Sequence, residues 1–395
     1  MPAPRSGLEV FAAFLRLGLT SFGGPIAHIS YFRREFVERR RWLGETDFAR
    51  LLALCQFLPG PASSQTGFSL GLLRAGWGGA LAAFVGFTLP SALLLLAFSA
   101  AFPYLSGPTG QAAIHGFKVV AVAVVAQAVL GMAKQLCPDR ARAAIAAVAA
   151  AVLLAGPPGI LQLAVIAGGA AAGALFLRDL PPLEEAAFPL PYGVKLGAVL
   201  LAAFAVLLVA LPMIAAERHG LLEVASRFYR AGALVFGGGH VVLPLLQDTV
   251  VTPGLVSKEE FLAGYGAAQA VPGPLFTVSA YLGARIASPD GGIPGASVAL
   301  LSIFLPGLLL VAGTLPFWHS LSGKPVAASA VAGVNAAVVG LLAAALYDPV
   351  WVGAIARPID VAIAAVAFAM LAAWRAPPLL AVLWCVAASV VAAQT

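Results

Sequence analysis

Charge is what this sequence has least of. Of 395 residues, 10% are Asp, Glu, Lys or Arg and 61% are hydrophobic, whereas soluble domains carry about 25% charged residues. With so little polar surface, the chain cannot be solvated as a globule in water. Cysteine is nearly absent as well. Cys55, Cys137 and Cys385 lie in or beside apolar runs without metal spacing, which excludes a disulfide framework and a zinc site. No P-loop, nucleophile elbow, H-E-x-x-H or dinucleotide fingerprint occurs. The sequence therefore calls for no cofactor, gives no sign of an enzyme, and offers no means of driving work with ATP. No A-x-A site follows the first apolar run, so that run is expected to stay in the mature protein.

What the chain does have is apolar runs of about 20 residues along its whole length, as bilayer-spanning helices require. Their Ala/Leu/Val composition, without ten-residue alternation, selects helices over a closed barrel. The fold expected is an all-α polytopic membrane protein, with the lipid bilayer as its solvent. The net charge of +6 does not mark a nucleic-acid protein. Five arginines (Arg33, Arg34, Arg39, Arg40, Arg41) sit in one short segment between apolar runs, the pattern that places a loop in the cytoplasm.

The chain is also a tandem repeat. Phe14–Gly24, FLRLGLTSFGG, returns 214 positions later as Phe228–Gly238, FYRAGALVFGG, with six of eleven positions identical. Arg16/Arg230, Phe22/Phe236, Gly23/Gly237 and Gly24/Gly238 are among them. Each motif is followed by two arms of about a dozen residues around a Pro-Gly-Pro tip, too short to span the hydrocarbon. The tips are Pro59-Gly60-Pro61 and Pro272-Gly273-Pro274, each with a glutamine (Gln56, Gln269) three residues before it. Such arms predict re-entrant hairpins. The Phe-Gly-Gly interruptions predict either one broken spanning helix or a hairpin of half-helices. Boundaries follow as 1–178 for the first copy, 179–192 for a Pro-rich linker and 193–395 for the second. Basic residues follow the motif in copy 1 but precede it in copy 2 (Arg218, Arg227, Arg230). That asymmetry predicts an inverted-topology repeat, with an odd number of crossings per copy.

Charged residues inside apolar segments face a cavity or a partner, or snorkel to the headgroups. Arg16, Arg230 and Lys118 are the candidates here, and Arg74 and Arg285 close the re-entrant arms. No Asp or Glu is comparably central; Glu9, Glu223 and Asp360 sit near segment ends. A one-sided positive charge suits an anion. Beyond the first tip, Ser63, Ser64, Gln65 and Thr66 offer donors at the start of a half-helix, and Thr277 and Ser279 stand at the matching stage of the second. They read as an oxyanion site or as helix caps. Asn335 occupies the repeat position of Lys118. His28, His115 and His240 are candidate proton carriers or packed side chains.

Two copies of R-x-G-x-x-x-F-G-G, each followed by a Pro-Gly-Pro hairpin, resemble the chromate ion transporter family in its two-domain form. The likeness rests on Arg16–Pro25 with Gln56–Gly71, and Arg230–His240 with Gln269–Gly283. It implies a secondary transporter that exports chromate across the bacterial inner (plasma) membrane, with sulfate as the natural competitor. It also implies functional roles for Arg16, Phe22, Gly23, Gly24, Pro59, Gly60, Pro61 and their second-copy partners. The alternatives are a passive oxyanion channel, a sulfate-type transporter for which chromate is incidental, and a membrane-embedded enzyme acting on a lipid phosphate. A homo-oligomer is compatible with the sequence.

Overall fold

The computed structural model describes residues 6–156, 160–177, 188–217, 220–287, 289–318 and 325–394. Among the described residues every regular element is helical.

Helix α1 (Gly7–Thr20) starts on Ser6, whose hydroxyl accepts the Glu9 N–H. It ends where Gly23 and Gly24 take φ of +105° and +74°, conformations costly for any side chain with a Cβ. Helix α2 (Gly24–Phe32) runs on as a π-helical turn to Arg39. Phe14 stacks on Phe36 at 4.7 Å, and Arg40 lies 3.8 Å from Glu9. The two half-helices therefore lie side by side in opposite directions. The Phe-Gly-Gly break is the bend of a hairpin, and the arginine loop lies at the end where α1 begins.

Helix α3 (Glu45–Phe57) leads to the first tip, and α4 (Ala62–Ala101) leaves it. Non-helical Ala75 and Gly76 divide α4. Its first arm returns antiparallel to α1: Gly67 faces Phe14, and Arg74 reaches Glu9 at 3.2 Å and lies over the Trp42 ring. Its second arm runs parallel to α1, with Gly7 beside Gly78 and Gly18 against Gly86 and Phe87. A Cβ on Gly18 would stand 2.7 Å from the Gly86 carbonyl, so the backbones themselves touch, as small residues permit in lipid. The first tip is thus re-entrant. Three helices complete the copy: α5 (Pro108–Leu136), α6 (Arg140–Ala155) and α7 (Ile160–Phe176).

Copy 2 repeats the order with α9 (Leu221–Ala233), α10 (Val242–Leu246), α11 (Lys258–Ala268), α12 (Val278–Arg285), α13 (Gly292–Thr314), α14 (Pro325–Ala345), α15 (Pro358–Ala372) and α16 (Pro378–Ala392), after a preceding α8 (Val194–Glu217). Among the described residues helix α8 has no counterpart in copy 1. It is 24 residues long, about 36 Å at 1.5 Å per residue. It starts beside the copy 1 end, where Tyr192 lies 5.1 Å from Trp77, and packs on copy 2 through the Tyr229 hydroxyl, which donates to the Phe204 carbonyl. Counted as a single crossing, α8 would change the parity expected of an inverted repeat from odd to even crossings per copy. The expected linker lies outside the described residues up to 187. Among the described residues, five helices are long and apolar enough to cross a membrane, including α5, α8 and α13.

The copies are joined by exchanged contacts. The Gly60 N–H donates to the Val235 carbonyl at 2.6 Å, and the Gly273 N–H donates to the Ser21 carbonyl at 3.0 Å. Each tip thus bonds to the helix break of the other copy. Gly60 lies against Gly307 of α13, and Gly273 against Ser91 and Phe87 of α4. Gly116 of α5 packs on Cys385 and Val386 of α16, while Gly333 of α14 packs on Gly169 and Gly173 of α7. Contacts of i with j′ and j with i′ are the mark of a two-fold interface.

Candidate functional site

The tips and breaks meet in a buried belt of polar side chains: Ser21, Ser63, Ser64, Gln65, Thr66, Ser69, Thr88, Ser91, Thr277 and Ser279 are all at most 4% exposed. Some of these groups are spent locally. Thr66 Oγ1 donates to the Ala62 carbonyl and Thr277 Oγ1 to the Pro274 carbonyl, bonds back into the preceding turn that are not N-caps, and neither helix start has a side-chain cap. Gln65 Nε2 ties the first tip together, donating to the carbonyls of Pro59 and Gly307. Gln269 Nε2 bonds back to the Tyr265 carbonyl.

Others have no protein partner. The Oγ atoms of Ser21, Ser64, Ser69 and Ser279, Thr88 Oγ1 and Gln65 Oε1 are buried and unbonded. Leaving a buried polar group unmade costs about 1–3 kcal/mol, and native structures hold few such groups. Their concentration around two half-helix starts describes a polar lining. Five of the six are hydroxyls, which can donate to an oxyanion without bringing a competing fixed charge.

The other expected site residues sort into three groups. Gly60 and Gly273 spend their N–H groups on cross-copy bonds, so these amides lock the tips and are not free donors. Pro59 and Gly307 contribute carbonyls to the Gln65 bonds, Pro61 is buried in the tip, and Pro272 and Pro274 flank the second tip glycine. Phe22, Gly24, Phe236, Gly237 and Gly238 are half-buried, while Gly23 and Gln56 are exposed. Arg16 and Arg230 are exposed on the protein surface and Lys118 is half-buried; among the described residues none of the three has an ion-pair partner. Asn335, opposite Lys118 in the repeat, has a buried unbonded Oδ1 and approaches Gly237. Arg74 and Arg285 are neutralised by Glu9 and Glu260, so neither is a free cation.

Sequence reasoning missed several groups. Ser21 lies inside the repeated motif, and Thr88 and Ser91 flank Pro90 in an apolar run; a search for polar residues beside helix breaks finds all three. His28 is wholly buried, its Nε2 3.2 Å from the Ser21 carbonyl and its Nδ1 3.5 Å from Ser63 Oγ. Asp360, read as lying near a segment end, is fully buried, and His115 Nε2 is 2.9 Å from it. The two described surface hollows lie elsewhere: one of about 560 Å³ between Leu93–Pro103 and Ala284–Ile293, the other around Arg41. Among the described residues no His, Cys, Asp or Glu cluster suits a metal.

Known proteins with similar sequences agree with this architecture. A family profile described as "Chromate transporter" matches residues 8–174 and 222–391, one match per copy with α8 left between them. A chromate transport protein of Pseudomonas aeruginosa is 32% identical over 390 residues, covering 95% of this chain and 89% of that protein. A probable chromate transport protein of Synechococcus elongatus is 30% identical over 84% of this chain and 82% of its own length. One from Cupriavidus metallidurans is 29% identical over 84% and 80%. No solved structure matches. With both copies matched and, among the described residues, five helices long and apolar enough to cross a bilayer, this multi-pass membrane protein belongs to the chromate transporter family.

Proposed function

We propose that the chain is a secondary active transporter that carries chromate, and sulfate as its isostere, across the bacterial inner membrane by alternating access, in the direction of export. The dianion binds between the tips. Unbonded hydroxyls and half-helix N-termini supply hydrogen bonds there, and Arg16, Arg230 and Lys118 supply positive charge along the approach. The observation that carries this reading is the reciprocal bonding of each tip to the other copy's break, with the buried unbonded hydroxyls gathered around it.

The reading includes inversion of the two copies. Contacts along α4 support it. Its residue 77 end lies with the arginine loop of copy 1, while at its far end Phe102 lies 5.0 Å beneath Arg285, at the outer end of the copy 2 hairpins. The hairpins thus enter from opposite ends of the same helix. Two broken elements meeting at a pseudo-two-fold centre let one site face each side in turn. Uptake of labelled chromate into everted vesicles tests the proposal. Native protein accumulates chromate above the outside concentration when the membrane is energised, and Arg16→Gln cuts that rate by roughly tenfold, about 1.4 kcal/mol. Equilibration without accumulation would make the chain a passive pore, and unchanged kinetics in Arg16→Gln would remove that residue from the path.

A further inference from the structure

His28 stands where three parts of the centre meet. It lies in α2, just past the first break. Its Nε2 is 3.2 Å from the Ser21 carbonyl, the same carbonyl that accepts the Gly273 N–H of the second tip, and its Nδ1 is 3.5 Å from Ser63 Oγ at the first tip. The Phe87 ring of α4 meets the imidazole edge-on at 5.2 Å and closes the remaining side. These contacts fix the tautomer. A carbonyl oxygen only accepts, so Nε2 carries the hydrogen. In the neutral ring Nδ1 is then the acceptor, and Ser63 must donate to it.

We infer that His28 is the proton-linked positioning residue of the oxyanion site, controlling whether Ser63 can donate to substrate. With the ring neutral, the Ser63 hydrogen is committed to Nδ1 and only its lone pairs face outward, the wrong polarity for an anion. When a proton from water binds Nδ1, the new N–H donates to Ser63 Oγ. The Ser63 hydrogen stays on Ser63 and rotates away from the ring, free to bond an oxyanion. No covalent bond other than N–H forms or breaks. The imidazolium also brings one buried positive charge next to the site, which favours a dianion. Binding of the anion and binding of the proton therefore strengthen each other, by reciprocal linkage.

The surroundings leave His28 as the titrating group. From α4 it faces Ser63 and Phe87, and from the break the Ser21 carbonyl. The second tip, which reaches it through that carbonyl, has no titratable side chain from Val271 to Pro274. Among the described residues no carboxylate, lysine or arginine is hydrogen-bonded or ion-paired to the ring. The other histidine near this break, His240, approaches Gly24 but spends its Nδ1 on the Tyr265 hydroxyl. Copy 2 has no equivalent pair, because Phe276 stands where copy 1 has Ser63. The linkage belongs to one half of the two-fold centre.

This inference rests on the transport reading above, and its test separates the two. Chromate binding to the purified full-length chain is followed by titration calorimetry between about pH 5.5 and pH 8.5, in buffers of different ionisation heat. His28→Gln keeps an N–H for the Ser21 carbonyl but cannot titrate, and Ser63→Ala keeps the histidine but removes its partner. The difference between wild type and variant cancels chromate's own protonation. Wild type should take up close to one more proton per chromate than His28→Gln, and measurably more than Ser63→Ala, which keeps the imidazolium charge but not the gated hydroxyl; its affinity should fall about tenfold per pH unit more steeply than that of His28→Gln above the transition. Equal proton uptake in wild type and His28→Gln, or in wild type and Ser63→Ala, overturns the inference and leaves the transport reading standing. A wild-type chain that binds no chromate at any pH overturns the transport reading, and the linkage falls with it.

Discussion

The two tips make the same backbone bond and share few side chains. Each sends a glycine N–H to a carbonyl in the other copy's break. Beyond the first glycine stand Ser63, Ser64, Gln65 and Thr66; beyond the second stand Phe276, Thr277, Val278 and Ser279. The first arm begins directly as an α-helix, whereas the second begins as a 3-10 turn. Repetition has therefore held the scaffold symmetric while polarity has drifted to one side. In a transporter this division is physically sensible. On the alternating-access reading proposed above, the frame has to close equally well in either direction, but a single anion needs only one set of ligands.

The sharpest way to break the comparison is to attack the shared feature. Gly60 and Gly273 have φ of +123° and +101°, and a side chain there costs about 1–3 kcal/mol in backbone strain alone. A Cβ on Gly60 would also stand 3.0 Å from the Gly307 Cα, which is backbone and cannot swing away. At Gly273 its closest neighbour is Ser91 Oγ at 2.9 Å, a side chain that can rotate, although the Phe87 carbonyl is next at 3.2 Å. Gly60→Ala should abolish chromate accumulation, and Gly273→Ala should reduce it by at least tenfold while leaving more folded protein in detergent. Equal, near-wild-type transport in both would show that the cross-copy bonds are dispensable.

The next test addresses what the tips do not share. Ser64 Oγ is buried and unbonded, while Thr277 Oγ1, its repeat partner, already donates to the Pro274 carbonyl. Removing an unbonded hydroxyl relieves a desolvation cost, whereas a hydrogen bond to a charged group contributes about 1.5–3 kcal/mol. Ser64→Ala should leave thermal stability unchanged or slightly raised and increase the chromate KM roughly tenfold. Thr277→Val should change KM less than about threefold and lose about 1 kcal/mol of stability with its hydrogen bond to the Pro274 carbonyl. The opposite ranking would move the site to the second copy.

How much of this was legible beforehand follows from what glycine, proline and charge can report. The repeat, the re-entrant tips and the helix breaks were readable because Gly23, Gly24 and Gly60 mark bends wherever they occur, whereas the division of α4 at Ala75 and Gly76 was not read. The direction of the first hairpin was not, because only the packing of Phe14 on Phe36 and of Arg40 near Glu9 decides it. Helix α8 was counted into the second copy, 193–395, because nothing in its apolar composition distinguishes an added helix from a repeated one. The polar belt was half visible. Ser64 and Thr277 follow a proline tip, but His28 meets Ser63 from 35 positions away, and no local pattern encodes that meeting. Asp360 does lie near a segment end, in the first turn of α15, but its meeting with His115 of α5, more than 200 residues earlier in the chain, is encoded by no local pattern either.

A smaller contrast is between the ion pairs that close the arms. Arg285 bonds Glu260, which also completes the Ser257 capping box of α11. Arg74 bonds Glu9, which has Arg40 in reserve at 3.8 Å. Arg285→Ala therefore strands a half-buried carboxylate and should cost about 2 kcal/mol, whereas Arg74→Ala should cost about 1 kcal/mol, chiefly the lost contact with Trp42. Melting in detergent measures both. A larger loss for Arg74→Ala would mean that Arg40 does not take over.

The smallest effect expected concerns the loop that gives copy 1 its arginines. Burial pushes the Glu35 carboxyl up, but hydrogen bonds from Arg40 and Arg39 outweigh it and hold the group below the usual carboxylate range. A carboxyl depressed in the folded state adds stability that is fully present above its unfolded pKa and is lost as pH falls through the folded one. The corresponding turn of copy 2, Gln247–Val251, has no arginine cluster. Lowering the pH from about 7 to about 3 should therefore raise hydrogen exchange across residues 33–42 and leave residues 247–256 much less affected. Glu35→Gln should remove that difference at neutral pH. Equal acid sensitivity in the two turns would mean that the arginine cluster serves membrane orientation alone and does not brace its own hairpin.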